Sequence, residues 1–144
     1  MDFVEWRERR GETADEESEK LATLVIGAFI EVHKELGAGH AESTYERAIC
    51  YELELRGIPF QCQAPMEVTH KGQVVGTGKI DILVGGKLIL ELKSVDQLND
   101  VHRGQVVSYL TAKGLRLGLL MNFNVAVAKN GVKRVVRDPK KLPL

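Results

Sequence analysis

An α/β (α+β) domain, a central mixed β-sheet flanked by helices in the order αα-βββ-α-ββ, is predicted by three features of the chain. Residues 18–57 carry apolar side chains at helical spacing, residues 59–95 break into short β-type runs separated by turns, and helical spacing returns between the third and fourth of those runs. A helix in that position is long enough to carry the chain to a parallel neighbour, so the sheet is expected to be mixed. At 144 residues and 44% hydrophobic, the chain suits one domain with a proper core and is too short for two.

Residues 1–16 are acidic and aperiodic and read as a flexible extension, leaving 17–144 as the single domain. From Ser18, "SEKLATLVIGAFIEVHKELG" sets Leu21, Leu24, Val25, Ala28, Phe29, Val32 and Leu36 at helical spacing, with Gly37 as the stop. After the loop "GAGHA", "ESTYERAICYELELRGI" makes a second amphipathic helix from Tyr45, Ala48, Ile49, Leu53 and Leu55, with Gly57 just past its end. "PFQCQAPMEVTH", "VVGTGKIDILV" and "KLILELKSV" then form a three-strand meander, turning at "KGQ" and at Gly85 and Gly86. "NDVHRGQVVSYLTAKG" is helical through Val101, Val106, Tyr109 and Leu110; "LRLGLLMNF" reads as a buried strand and "GVKRVVR" as a last edge strand. There is no internal repeat.

No apolar run is long enough to cross a bilayer, and "MDFVEWRERRG" has neither the apolar block nor the cleavage site of a secretory signal, so a cytoplasmic protein without membrane partners is expected. Cys50 and Cys62 are too few for a disulfide framework and lack metal-site spacing; reduced, partly buried thiols are the expectation. A formal net charge of zero speaks against a polyanion partner until its distribution is considered. Residues 2–19 hold eight acids against three arginines, leaving 17 basic against 12 acidic residues, or +5, for the remainder. Within that remainder the tail "KNGVKRVVRDPKK" concentrates six basic residues and one acid, which permits a nucleic-acid partner and equally describes a solvated end.

Charges inside the apolar strands carry the chemistry. In "KLILELKSV", Leu88, Leu90 and Leu92 point one way and Ile89, Glu91 and Lys93 the other; in "KIDILV", Lys79, Asp81 and Leu83 oppose Ile80, Ile82 and Val84. A tight turn at Gly85 and Gly86 sets Asp81 near Leu90, with Glu91 opposite Ile80 or diagonal to Asp81. Two carboxylates about 4 Å apart repel by roughly 4 kcal/mol at an effective dielectric near 20, so a proton, a lysine or a cation must offset them. Glu91 and Lys93 neutralising each other on an exposed face is the simplest account. The order of acid, turn and Glu-x-Lys favours another, in which Mg²⁺ takes the two carboxylates with the backbone carbonyl between, that of Leu92, as a third ligand. Lys93 then orients water or a phosphate, an arrangement suited to phosphodiester hydrolysis.

Asp81 followed by Glu91-x-Lys93 resembles the PD-(D/E)XK nuclease superfamily, and "GHAESTY", with Gly39, Glu42 and Tyr45, resembles the G-x-x-E-x-x-Y signature of one bacterial and archaeal family within it. The likeness runs over residues 20–136 through "VHKELGAGHAESTYE", "GTGKIDILV", "LILELKSV", "VHRGQVVSYL" and "LGLLMNFN". It implies a restriction-endonuclease-like core, Mg²⁺ or Mn²⁺ held by Asp81 and Glu91 with Glu42 as an additional acid, and Lys93 at the water or phosphate. It further implies DNA as substrate, a 5′-phosphate product, and Gln105 and Tyr109 as a supporting pair on one helical face. Lys79 stands where an arginine is expected, which loses the bidentate phosphate fork. The chemistry of the residues alone also allows Glu42 to be a first-turn acid favoured by the helix dipole, Tyr45 a core aromatic, Gln105 a backbone partner and Gly39 a turn. His40 and His102 flank the site segments, whereas His33 and His70 are structural. Holding two strands would call for a homodimer. The competing reading keeps the fold as a catalytically silent nucleic-acid-binding or protein-interaction module.

Overall fold

The computed structural model describes residues 14–137; residues 1–13 of the acidic extension and the end of the basic tail lie outside them. Among the described residues three helices, α1 (Glu16–Leu36), α2 (Glu42–Leu55) and α3 (Asp100–Lys113), accompany β1 (Phe60–His70), β2 (Gln73–Val84), β3 (Leu88–Lys93), β4 (Leu117–Asn122) and β5 (Val132–Val136), with a 3-10 turn at Ala128–Gly131. The sheet runs β1-β2-β3-β4-β5. Every adjacent pair is antiparallel except β3 and β4, which are parallel and joined by the α3 crossover, as the spacing predicts.

The sheet is covered on both faces. Leu88, Leu90 and Leu92 of β3 join Leu117, Leu119 and Met121 of β4 under Phe29, Val32, Tyr45 and Ile49 from α1 and α2. On the other face Ile89 and Leu120 pack with Val106 and Leu110 of α3. All six residues of β4 are buried, which is why it reads as a continuous apolar run. At Gly118 the strand meets α3 so closely that a Cβ would lie 2.6 Å from Val106 Cγ1. Leu24, Leu55 and Val101 are exposed, because the apolar stripes are wider than the faces the sheet covers.

Three details depart from expectation. First, α1 starts at Glu16, two residues before its apolar period, because Asp15 caps it by accepting from Ser18 N at 2.9 Å and Ser18 Oγ at 2.8 Å. Its acidic first turn is anchored across the fold by Lys87 to Glu17 at 2.9 Å and Arg134 to Glu19 at 2.6 Å. Second, the β2–β3 turn holds three residues: Gly85 and Gly86 take φ of 58° and 69°, Lys87 follows, and Val84 pairs with Leu88. The register is therefore displaced by one residue from that of a two-residue turn. Third, Cys50 of α2 and Cys62 of β1 are joined in a disulfide, overturning the expectation of reduced thiols. Their contact is created by α2 lying beside β1, which sequence spacing does not encode.

Gly118→Ala is expected to destabilise the protein by about 1–3 kcal/mol through overpacking against Val106, read as a lower urea midpoint with an unchanged slope.

Candidate active site

Backbone pairing between β2 and β3 ends at Ile82 and Leu90, and the next two positions, Asp81 and Glu91, face each other where the strands part. Asp81 thus lies across from Glu91, correcting the expectation that it sits near Leu90; the third loop residue is the cause. The parted strands leave two amide donors without carbonyl partners, and the acids supply them. Leu92 N–H donates to Asp81 Oδ2 at 2.8 Å, and Asp81 N–H donates to Glu91 Oε1 at 3.1 Å. The expected common face of Ile80, Ile82 and Val84 also fails: Ile82 and Val84 pack under α1 and α2, whereas Ile80 packs under α3. Strict alternation assumes a flat strand, and β2 turns over at Asp81.

Glu91 is 2% exposed. Its burial, with the Asp81 charge alongside, pushes its carboxyl up to about 8, while Lys93 pulls the other way. Asp81 is also raised, chiefly by burial, against the opposing effects of the Leu92 N–H and Lys93. Among the described residues Lys93 makes no direct ion pair with either acid. An exposed Glu91–Lys93 pair is therefore not what the fold builds; it builds a buried Glu91 beside a half-buried Asp81, both with raised proton affinity, and a lysine nearby.

The remaining candidates surround this pair unevenly. Glu42 opens α2, Ser94 N–H donates to its Oε1 at 3.3 Å, and its charge reaches Asp81 and His102. It is both a first-turn acid and a neighbour of the site. Tyr45 is a fully buried core aromatic stacked on Phe123 at 4.0 Å. Its hydroxyl donates to Gly37 O at 2.5 Å and accepts from His40 N–H at 3.2 Å, while Gly39 turns with φ 103°. Gly39 and Tyr45 thereby fix the loop that delivers Glu42. On α3, Gln105 Nε2 donates to Tyr109 Oη at 3.0 Å, and burial, aided by Glu91 and Asp81, raises the Tyr109 phenol. His102 Nδ1 accepts from Asn99 N–H in a capping box, and burial and Lys93 hold its pKa low. His33 is structural, bonded through Nε2 to Val125 O at 2.7 Å. Lys79 is exposed, across from Pro65, and the cation acting on both acids is Lys93.

Two contributors were not anticipated. Ser94, directly after Glu-x-Lys, ties β3 to the α2 loop through Oγ to His40 O at 2.9 Å. Asn122, across from Lys93 on β4, is 2% exposed and clamps the chain after β3 by exchanging hydrogen bonds with Val95 N and O at 3.1 and 2.9 Å. A lone asparagine ending the apolar run "LGLLMN" was its signal.

Among the described residues no three of His, Cys, Asp and Glu converge to form a metal group by themselves. Asp81 and Glu91 nevertheless offer hard oxygen donors whose raised proton affinity a cation would relieve, and in that respect they fit Mg²⁺ or Mn²⁺. Among the described residues no helix is long and apolar enough to cross a membrane.

A mixed sheet that parts to set an aspartate against Glu-x-Lys, with helices on both faces, defines a restriction-endonuclease-like domain. The model of the PD-(D/E)XK nuclease superfamily matches residues 19–135, and the chain belongs to that superfamily. No curated protein and no solved structure matches the chain.

The raised acids tie stability to pH. The folded state retains a proton on Glu91 up to about 8, whereas the unfolded chain loses it near 4.5, so the folded state binds more protons between these values. Metal-free protein should therefore lose stability as pH rises from about 5 to 8. Glu91→Gln should flatten that decline and melt roughly 5 °C higher than wild type at pH 8.5, measured by calorimetry in EDTA.

Proposed function

We propose that this protein is a Mg²⁺- or Mn²⁺-dependent nuclease that hydrolyses DNA phosphodiester bonds with activated water and leaves a 5′-phosphate, and that it is a GxxExxY protein within its superfamily. The observation that carries this reading is the reciprocal bonding of Asp81 and Glu91 to each other's strands, with Lys93 two residues on. Asp81 and Glu91 are the cation ligands, with the Leu92 carbonyl and Glu42 as further oxygen donors. A bound divalent cation supplies Lewis acidity toward the phosphate and lowers the pKa of water. Lys93 holds the attacking water or the scissile phosphate through its ammonium group. Tyr109, hydrogen-bonded to Gln105, supports the site from α3, and Lys79 is a peripheral phosphate contact.

Support for the GxxExxY assignment comes from the shared purpose of its three residues: Gly39 turns the loop, Tyr45 latches it, and Glu42 is carried to Ser94. The reading implies a cytoplasmic enzyme acting on DNA as a homodimer. In that reducing compartment the Cys50–Cys62 bond would face continual exchange with thiols.

Purified protein incubated with linear, supercoiled and single-stranded DNA should give product only with Mg²⁺ or Mn²⁺. Asp81→Ala should abolish cleavage, and Lys93→Ala should lower its rate by roughly 10²–10³-fold. Mg²⁺ at 100 times its Kd should stabilise wild type by about 2.7 kcal/mol and leave Asp81→Ala unmoved. Cleavage that persists unchanged in both variants removes the proposal, and salt-sensitive DNA binding without any product returns the chain to a silent binding module.

A further inference from the structure

β1 leaves regular strand geometry beside the acid pair. Gln63 has φ 51°, in the left-handed region that residues with a Cβ rarely occupy. Cys62 pairs with Ile82 and Ala64 with Ile80, so Gln63 stands across from Asp81, and no pairing forms at that level. Both strands change face there. On one side of the break Cys62 is bonded to Cys50 of α2, and Ile82 packs under α1 and α2; on the other, Ala64, Met66 and Ile80 pack under α3. Gln63 is held in place by its neighbours: its Nε2 donates to Glu46 Oε1 on α2, the residue before it is in the disulfide, and Ala64 after it is 1% exposed. A costly backbone conformation persists only where its surroundings over-determine it, and such positions cluster at functional sites.

We propose that Gln63 is a positioning residue for the acid pair: its left-handed backbone turns the β1–β2 hairpin over at the level of Asp81, parts β2 from β3, and so aims the Asp81 carboxylate at the Leu92 amide and Glu91. A regular β1 would carry β2 on alongside β3, and backbone pairing would close the gap that the two acids occupy. Gln63 acts through Asp81, and the significance of this for catalysis rests on the nuclease reading above.

The test uses the full chain and two readouts. In metal-free protein, amide hydrogen exchange followed by NMR reports the Leu92 N–H bond to Asp81. Gln63→Gly, which accepts positive φ without strain, should retain wild-type protection at Leu92. Gln63→Val, whose branched side chain favours a regular strand, should speed Leu92 exchange about tenfold relative to the amides of β4. Mn²⁺ affinity, titrated by electron paramagnetic resonance, should be unchanged in the Gly variant and roughly 10–100-fold weaker in the Val variant. Gln63→Thr, also β-branched but smaller and polar, is read by the same criterion and decides the matter if the Val chain does not fold. A folded Val or Thr variant with wild-type Leu92 protection overturns the proposal, as does a Gly variant that loses it. Wild type that binds no Mn²⁺ while Leu92 exchange still follows residue 63 sinks the nuclease reading and supports the positioning role.

Discussion

Two carboxyl groups sit side by side in the interior of a β-sheet, and much of the surrounding structure follows from accommodating them. A ladder that continued past Ile82 and Leu90 would satisfy its own amides and force Asp81 and Glu91 together as charged neighbours. The strands part instead, and each acid satisfies an amide that the parting exposes. The amide donors gain partners, and the two acids gain hydrogen bonds that limit the cost of leaving water. The resulting pair holds on to protons more strongly than ordinary carboxyls.

The rest of the fold keeps this gap open at a fixed place. β4, buried along its whole length, anchors β3 in parallel register, and Asn122 clamps the chain just beyond Lys93. The Tyr45 hydroxyl closes the loop before α2, so Glu42 arrives at Ser94 on the back of a core aromatic. At the other end of the sheet, Lys87 and Arg134 hold the acidic first turn of α1, and part of the acid-rich segment is thereby neutralised away from the site. The basic residues that a charge count assigns to a partner are in part engaged in the fold: Arg134 with Glu19, and Arg137 with Leu115 O.

Much of this was legible in the residues. Among the described residues, apolar periods located the three α-helices and five strands, because burial on one or both faces leaves a repeating pattern. Glu91 was conspicuous because a glutamate inside an apolar strand needs a special reason. Apart from the start of α1, three things were misjudged, each depending on contacts between distant segments. The register slipped by one because Lys87 joins the loop, a choice made by how the glycine turn meets the two strands. Ile80 and Ile82 were given one face because periodicity assumes a strand that does not turn over. Cys50 and Cys62 were read as separate thiols because nothing in a spacing of 12 residues shows that α2 lies beside β1.

By itself, then, the sequence determined the elements, their order and the chemical types available to a site: Glu42, Asp81, Glu91 and Lys93 in an α+β frame. These follow from local periodicity and side-chain chemistry, which are properties of neighbouring residues. Only the tertiary structure decided that Asp81 meets Glu91 directly, that Glu91 is buried and Asp81 half-buried rather than solvated, and that Gln63 stands at the break beside them. Those outcomes depend on register, twist and desolvation, which exist only once strands that are far apart in the chain have been packed against each other.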